Sequence, residues 1–153
     1  VHSLLKYKFD LIFVSPLVRT YETIKPYLAS LDKPPLVVTE PLTIERDLGI
    51  FTNTAQGDGF IPNDIEAQGV GKVEWKPKNG ESTKDVEKRA IKFYEVLKDA
   101  PAENILICGH QNFLRCLELT ILEKEINDEN FFGEKPPRLD NGEIRKYEVT
   151  FLE

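Results

Sequence analysis

Three short apolar runs, set between stretches of helical periodicity, constrain most strongly what this chain can fold into. The runs are FDLIFVS at 9–15, LVV at 36–38 and NILICG at 104–109. The first and third runs are short and almost continuously apolar, which is typical of a strand buried in a parallel sheet, and the β-branched residues of LVV predict a further short strand. Helical patterns alternate with them at 16–31, 83–98 and 112–124. This alternation predicts an α/β fold, a three-layer sandwich with a mostly parallel sheet.

Signals at the ends of these stretches add local expectations. Ser15 and Ser82 precede the first two helical stretches and are predicted to be N-caps, and Pro26 should kink or shorten the first helix. Turn-forming residues predict a loop over 127–142. The partial alternation over 143–152 predicts an edge strand at the end of the chain.

Length and composition limit the class of protein. The 153 residues are enough for a single domain, predicted over 1–153, and 41% hydrophobic residues are too many for a disordered chain. A net charge of −6 argues against a nucleic-acid or membrane partner, and no apolar run approaches the roughly 18 residues of a membrane helix.

The cysteine content predicts the redox state of the chain. Two cysteines cannot form a disulfide framework, so we expect reduced thiols and a cytoplasmic location. Only His2 and His110 supply imidazoles, which makes a structural zinc site improbable.

Polar segments follow two of the predicted strands, where ligands bind in parallel sheets. SPLVR begins at the end of the first strand, and CGHQN ends the third. His110 lies where the third strand turns into a helix, so backbone N–H groups and a cationic imidazole could hold an anion there. The alternative is a partly buried histidine bonded to a backbone carbonyl.

Arg19 lies in the first turn of the first predicted helix, where the helix dipole disfavours a cation. A phosphate between the helix start and the guanidinium would reverse that cost. The alternative is a surface arginine paired with Glu22 or Glu40.

Glu45 follows the second predicted strand closely. A carboxylic acid beside a phosphate site could protonate a leaving oxygen if its pKa were raised. The alternative is a solvated loop carboxylate. Glu81 has a simpler explanation, because a negative charge next to the Ser82 helix start is favourable in any case.

Cys108 raises the possibility of a cysteine-based phosphatase, whose loop resembles Cys, five residues, Arg. Six residues separate Cys108 from Arg115 here, and one extra residue rotates a helical side chain by about 100°. We therefore interpret Cys108 as a buried strand residue and keep the thiol nucleophile as a rival hypothesis.

Taken together, four segments resemble the histidine phosphatase superfamily, the phosphoglycerate-mutase-like group, in order and in spacing. They are SPLVRTYET at 15–23, IERDLG at 44–49, NGES at 79–82 and ILICGHQNFLR at 105–115. The resemblance implies that Arg19 binds phosphate, Glu45 donates a proton and His110 steadies the transferring phosphoryl group. Gln111 and Asn112 resemble the family's Gly-Asn pair that contacts the substrate phosphate, with glutamine in place of glycine.

The resemblance also implies a chemistry. It is hydrolysis or transfer of a phosphate monoester through a phosphohistidine, with a small phosphorylated substrate and with neither metal nor cofactor. The Gly-, Asn- and Pro-rich segment 51–80, predicted to be a loop, would cover the site. The alternative function is a non-catalytic module of the same fold that binds a phosphorylated ligand or a protein. Neither the ester nor the oligomeric state is predicted.

One departure from the family concerns its nucleophile. The family's first strand ends in Arg-His-Gly, which these 153 residues do not contain, and His2 lacks that context. We therefore expect the chain as written to be inactive and its parent protein to carry the activity. The strand would lie inside the sheet beside the strand that ends at Cys108, and each buried backbone group left unpaired there costs about 1–3 kcal/mol. We expect the chain to be unstable alone or to close the gap with its terminal strand.

Overall fold

The protein folds around a parallel three-stranded sheet. The computed structural model describes residues 4–53, 60–133 and 137–151. The strands are β1 (Leu11–Val14), β2 (Leu36–Thr39) and β3 (Ile105–Cys108). Their order is β2-β1-β3, and both pairings of β1 are parallel. The predicted α/β fold with a parallel sheet is confirmed.

Within the described residues, five α-helices accompany the sheet. They are α1 (Val18–Leu28), α2 (Phe60–Gln68), α3 (Thr83–Asp99), α4 (Gln111–Ile121) and α5 (Asp128–Phe132). The N-cap predicted for α3 is confirmed, because Ser82 and Asp85 bond to each other's backbone N–H in a capping box. None of the described helices is long and apolar enough to cross a membrane.

The central strand β1 divides the core into two halves. All four of its residues are buried, and alternate side chains point to opposite faces of the sheet. Ile12 and Val14 pack in a cluster with α1, whereas Leu11 and Phe13 pack in a cluster with α3 and α4. The ring of Phe13 lies edge-on to Phe93 of α3 with centroids 5.2 Å apart. A helical layer therefore covers each face of β1, which gives the predicted three layers.

The first helix differs from the sequence expectation at both ends. It begins at Val18 with Leu17 as its N-cap, so the N-cap predicted at Ser15 is wrong. The Ser15 hydroxyl accepts a bond from the N–H of Leu17 at 3.3 Å instead. The helix ends at Leu28, two residues after Pro26 and short of the predicted residue 31. Pro26 lies in the last turn, and because it has no N–H the carbonyl of Glu22 loses its intrahelical donor shortly before the helix ends.

Two of the predicted loops contain helices. The segment 51–80 includes α2, and 127–142 includes α5, which is capped by the Asn127 side chain. Residues 54–59 and 134–136 lie outside the described residues. The turn-forming residues of both segments therefore lie on either side of a short helix, and neither segment is a loop throughout.

The edge strand predicted over 143–152 is also wrong within the described residues, since 143–151 contains no strand. The alternation serves another purpose, because Arg145 and Tyr147 both bond to the buried carboxylate of Glu118. The edge of β3 that faces away from β1 pairs with no strand in the part of the chain that the structure describes. The terminal segment therefore does not close the sheet.

Candidate functional site

A cleft of about 530 Å³ runs along Leu106–Cys108 of β3 and extends to residues that follow the carboxyl ends of β1 and β3. Four of the predicted site residues line it: Arg19, Glu45, His110 and Gln111. The opposite wall is formed by residues 139–144. A second depression, of about 450 Å³, lies at the other end of the sheet and has mainly apolar walls. The position of the first cleft agrees with the rule that parallel sheets bind ligands beyond their carboxyl ends.

His110 lies in the floor of this cleft and is 7% exposed. Its Nε2 is 2.8 Å from the Ser15 hydroxyl, and its Nδ1 is 3.2 Å from Nη2 of Arg19. Burial lowers the pKa of His110, Glu45 opposes that shift, and Arg19 adds to it. The neutral imidazole is thus favoured in this arrangement, contrary to the expectation of a cation.

Arg19 is the second residue of α1, and its guanidinium is exposed apart from its contact with His110. The partners proposed for a surface arginine are engaged elsewhere. Glu22 pairs with Lys25 at 3.4 Å, and Glu40 accepts a bond from the N–H of Leu42. The structure therefore orients Arg19 towards the cleft.

The start of α4 presents backbone donors at the same place. His110 is its N-cap, and the first intrahelical bond runs from the N–H of Leu114 to the oxygen of His110 at 2.8 Å. The N–H groups of the three residues between them have no intrahelical acceptor, and of these residues Gln111 lines the cleft, where its N–H can meet an anion. Gln111 donates its side-chain amide to the Leu139 oxygen at 3.1 Å. Asn112 does not line the cleft, and its Oδ1 is 3.4 Å from Nη2 of Arg138.

Glu45 is half-buried in the cleft wall, and its Oε1 accepts a bond from the N–H of Arg46 at 2.8 Å. Arg46 anchors this segment to the start of α3. Its three guanidinium nitrogens donate to the Glu81 oxygen at 2.9 Å, the Thr83 hydroxyl at 3.1 Å and the Trp75 oxygen at 3.1 Å. The position of Glu45 therefore depends on its neighbour's contacts with a distant part of the chain.

Glu81 is the second anchor of the same segment. Both of its carboxylate oxygens accept from Arg89 at 2.9 Å, and Oε2 also accepts from the N–H of Asp47 at 3.1 Å. Arg89 in turn donates to the carbonyl oxygens of Leu42 and Ile44. The sequence analysis missed this role, because the only local signal was a carboxylate before a helix.

Two glycines allow the IERDLG and NGES segments to cross in contact. Gly49 has a φ of +54°, and a Cβ there would lie 2.1 Å from the Lys78 oxygen. A Cβ on Gly80 would lie 2.7 Å from the Asp47 oxygen. Both contacts are shorter than real Cβ atoms allow. These motif glycines are therefore explained by a close approach of two backbones.

None of the described residues of 51–80, the segment predicted to cover the site, lines the cleft, whereas residues 139–144 do. Within the segment, Trp75 is 3% exposed and donates its indole N–H to Asp64 of α2 at 2.7 Å. The cover role stays a prediction.

Cys108 is half-buried in the cleft wall, and its thiol is 3.5 Å from the Thr20 carbonyl oxygen. Burial raises the pKa of this thiol and so lowers the thiolate fraction. This geometry weighs against the thiol nucleophile. Across the described ranges, no three His, Cys, Asp or Glu side chains group in a way that could hold a metal ion.

Comparison with known proteins identifies relatives of the chain. The sequence model of the Histidine phosphatase superfamily (branch 1) matches residues 1–149. A 2,3-bisphosphoglycerate-dependent phosphoglycerate mutase from Bradyrhizobium sp. (strain ORS 278) is 33% identical over 122 residues, which are 76% of this chain and 58% of that protein. The chain thus spans less than two thirds of this relative's length.

Solved structures share the fold. The α-ribazole phosphatase from Shigella flexneri aligns with a TM-score of 0.71 at 24% identity, over 91% of this chain and 67% of that one. A mycobacterial glucosyl-3-phosphoglycerate phosphatase in complex with inorganic phosphate aligns with a TM-score of 0.62 at 22% identity, over 85% and 66%. The match over 1–149 and the identity with the mutase place the chain in a family: it belongs to the histidine phosphatase superfamily.

Proposed function

We propose that this chain binds the phosphate group of a small phosphate monoester and acts in the hydrolysis or transfer of that group. The observation that carries the proposal is the contact between Arg19 and His110 at the start of α4, within one cleft. A guanidinium, an imidazole and free backbone N–H groups are the donors that a phosphate requires. The activity belongs to the whole protein, of which these residues supply the phosphate-binding part.

The proposed reaction has two steps. The nucleophile is a histidine other than His110. It attacks phosphorus, so that a P–N bond forms while the ester P–O bond breaks. Glu45 gives a proton to the leaving oxygen, and Arg19 and His110 stabilise the charge on the phosphoryl oxygens. Water or a second hydroxyl then takes the phosphoryl group from the phosphohistidine. The family's Arg-His-Gly segment, absent from these 153 residues, supplies the attacking histidine in this proposal.

The named relatives support a small phosphorylated substrate. They are a phosphoglycerate mutase, an α-ribazole phosphatase and a glucosyl-3-phosphoglycerate phosphatase. All three names describe proteins that act on phosphate esters of small molecules. A small phosphate monoester is therefore the substrate class that we propose here.

The proposal is tested by phosphate binding and by turnover. Inorganic phosphate titrated into the chain should bind at one site, detected by calorimetry and by chemical-shift changes at the start of α4. The natural protein should hydrolyse p-nitrophenyl phosphate and carry an acid-labile phosphate on histidine. Absence of binding to the chain, together with absence of turnover by the natural protein, would contradict the proposal.

Two other outcomes separate the alternatives. Phosphate binding without any turnover by the natural protein would favour the non-catalytic binding module. A Cys108→Ser variant that loses turnover but keeps phosphate affinity would favour the thiol nucleophile. We expect that variant to retain turnover, because burial keeps the Cys108 thiol protonated.

A further inference from the structure

Ser15 forms a contact with His110 that the phosphate-binding groups do not explain. The serine follows β1, is 2% exposed, and places its hydroxyl 2.8 Å from Nε2 of the imidazole. Its N–H donates to the Cys108 oxygen at 3.1 Å, and its carbonyl accepts from the Thr20 hydroxyl at 2.9 Å. The backbone of Ser15 is thus fixed by hydrogen bonds at both its N–H and its carbonyl.

The partner of the other ring nitrogen decides which one carries the proton. A guanidinium has donors only, so Arg19 must donate to Nδ1, which is then an unprotonated acceptor. A neutral imidazole has one proton, and it therefore lies on Nε2 and points to the Ser15 hydroxyl oxygen. Together Arg19 and Ser15 select one of the two tautomers.

We propose that Ser15 is a positioning residue that holds His110 as the neutral Nε2–H tautomer, and that the site takes up one proton when it binds a phosphate dianion. The second half of this inference rests on the proposed function. The first half concerns the chain without any ligand and stands on the two contacts of the imidazole.

Proton uptake follows from the direction of the lone pair on Nδ1. The dianion of a phosphate monoester has only acceptor oxygens, unlike inorganic phosphate, whose dianion carries a P–OH group, so it cannot hydrogen-bond to an unprotonated Nδ1. A proton from solvent on Nδ1 makes the imidazolium, which donates to the anion while Nε2–H still donates to Ser15. The balance is site plus phosphate dianion plus one proton giving the complex.

The charged groups around His110 favour its protonation when phosphate binds. Arg19 of α1 disfavours the imidazolium, and the half-buried thiol of Cys108 lies on β3 beside it. Glu45 favours the imidazolium, and Asp140 and Glu143 line the opposite wall of the cleft. A phosphate that engages Arg19 neutralises the repulsive charge and adds an attractive one, so it raises the pKa of His110.

The tautomer is tested by long-range ¹H–¹⁵N spectra of the imidazole. The chain has only two histidines, so a His2→Gln background leaves the single signal of His110. We expect the pattern of a protonated Nε2 and an unprotonated Nδ1. Ser15→Ala should mix the tautomers, and Ser15→Thr, which keeps a hydroxyl, should restore the original pattern. Ser30→Ala is the matched control, since Ser30 bonds only to the Tyr27 oxygen among its described contacts.

Two results would overturn the tautomer assignment. One is a predominant Nδ1–H pattern in the unsubstituted chain. The other is a folded Ser15→Ala variant with the tautomer ratio and the His110 titration unchanged. Neither result depends on phosphate binding, so both are distinct from a failure of the proposed function.

Proton uptake is tested by calorimetry with methyl phosphate, a monoester whose dianion has no P–OH group, at a pH where that dianion predominates. Measurements in two buffers of different ionisation heat should give uptake approaching one proton per site, and His110→Ala should abolish it. Binding without proton uptake would overturn this half of the inference. Absence of binding would overturn it together with the proposed function, while the spectra would still decide the tautomer.

Discussion

Glu81 binds Arg89 through both carboxylate oxygens, each 2.9 Å from a guanidinium nitrogen. Arg89 also donates to the carbonyl oxygen of Ile44, and Glu81 also accepts a bond from the N–H of Asp47. The pair therefore fixes the backbone on both sides of Glu45. The proton donor proposed for the reaction is therefore positioned from the start of α3. Glu81 acts on the chemistry only through that position.

Glu81→Gln replaces one of these acceptor oxygens by a donor. We expect a loss of about 1–3 kcal/mol in the free energy of unfolding and a lower turnover number in the natural protein. The affinity for inorganic phosphate should stay unchanged, because Arg19 and His110 are untouched. Denaturant unfolding, kinetics and calorimetry measure the three quantities.

The matched control is Glu87→Gln on α3, the helix that follows Glu81, where Lys84 at 3.1 Å is the single ion-pair partner of the carboxylate among the described residues. It should leave turnover unchanged. Equal turnover in Glu81→Gln and Glu87→Gln would show that the bonds to the backbone around Glu45 have no effect on the reaction.

Arg19→Ala removes the exposed guanidinium that faces His110. Hydrogen bonds to charged groups contribute about 1.5–3 kcal/mol, so phosphate affinity should fall about 10- to 100-fold. Isothermal calorimetry checks this loss. Lys25→Ala, which removes a cation from the same helix but pairs only with Glu22, should leave the affinity within twofold. Equal losses in both variants would mean that general charge, rather than the cleft, attracts the anion.

Glu118 is 3% exposed and binds Arg115 at 2.7 Å, Arg145 at 2.6 Å and the Tyr147 hydroxyl. Burial alone would raise its pKa, but the hydrogen bonds from these three residues outweigh burial and lower it. Glu118→Gln should reduce the free energy of unfolding by about 3–5 kcal/mol near pH 7, because it leaves the buried Arg115 without its counter-ion.

The pH dependence of that loss has a definite sign. The lowered pKa means that ionised Glu118 stabilises the fold above the unfolded-state pKa, and the stabilisation disappears as pH falls through the folded-state pKa. The difference between the wild type and Glu118→Gln should therefore shrink in acid. Glu148→Gln, at an exposed pair with Lys146, should show a much smaller trend, because water screens that pair. A pH-independent difference would contradict the role of the ionised carboxylate.

Trp75 is the only tryptophan of the chain, and its indole N–H donates to Asp64 of α2. Asp64→Ala removes this acceptor, so the fluorescence of Trp75 should shift to longer wavelength as α2 loosens. Phosphate affinity should not change, since the described residues of α2 do not line the cleft. Glu66→Gln, at an exposed position of α2, should leave the emission unchanged.

The same variant tests whether 51–80 covers the site in the natural protein. If the segment contacts the substrate beyond its phosphate, KM for the ester should rise in Asp64→Ala while phosphate affinity stays constant. An unchanged KM in a variant with shifted fluorescence would count against the cover role.

The strands were predictable because their information is local. A parallel strand inside a sheet favours a continuous apolar run, and each of the three runs contains a strand, although only β1 is buried along its whole length. The cap at Ser82 was predictable for the same reason, since both partners of its capping box lie within four residues. The end of α1 was less clear, because Pro26 weakens a helix without fixing the residue at which it stops.

The terminal segment shows where local reasoning fails. Its alternation was interpreted as an edge strand, yet it places Arg145 and Tyr147 against Glu118 of α4. Alternation of apolar and polar residues requires only an extended chain with one face turned inward. It does not require a neighbouring strand. Only the distant carboxylate distinguishes the two possibilities.

By itself, the sequence determined the α/β class, the parallel strands and the positions of Arg19, Glu45 and His110 at element ends, because each depends on neighbours along the chain. Tertiary structure alone decided the rest. Arg19 meets His110 across 91 positions, Ser15 meets it across 95, and Arg46 meets Thr83 across 37. Such contacts depend on how the layers pack, and no local pattern records which donor will face which acceptor. The protonation of His110 follows from those contacts, because the partner of each ring nitrogen determines where the proton lies.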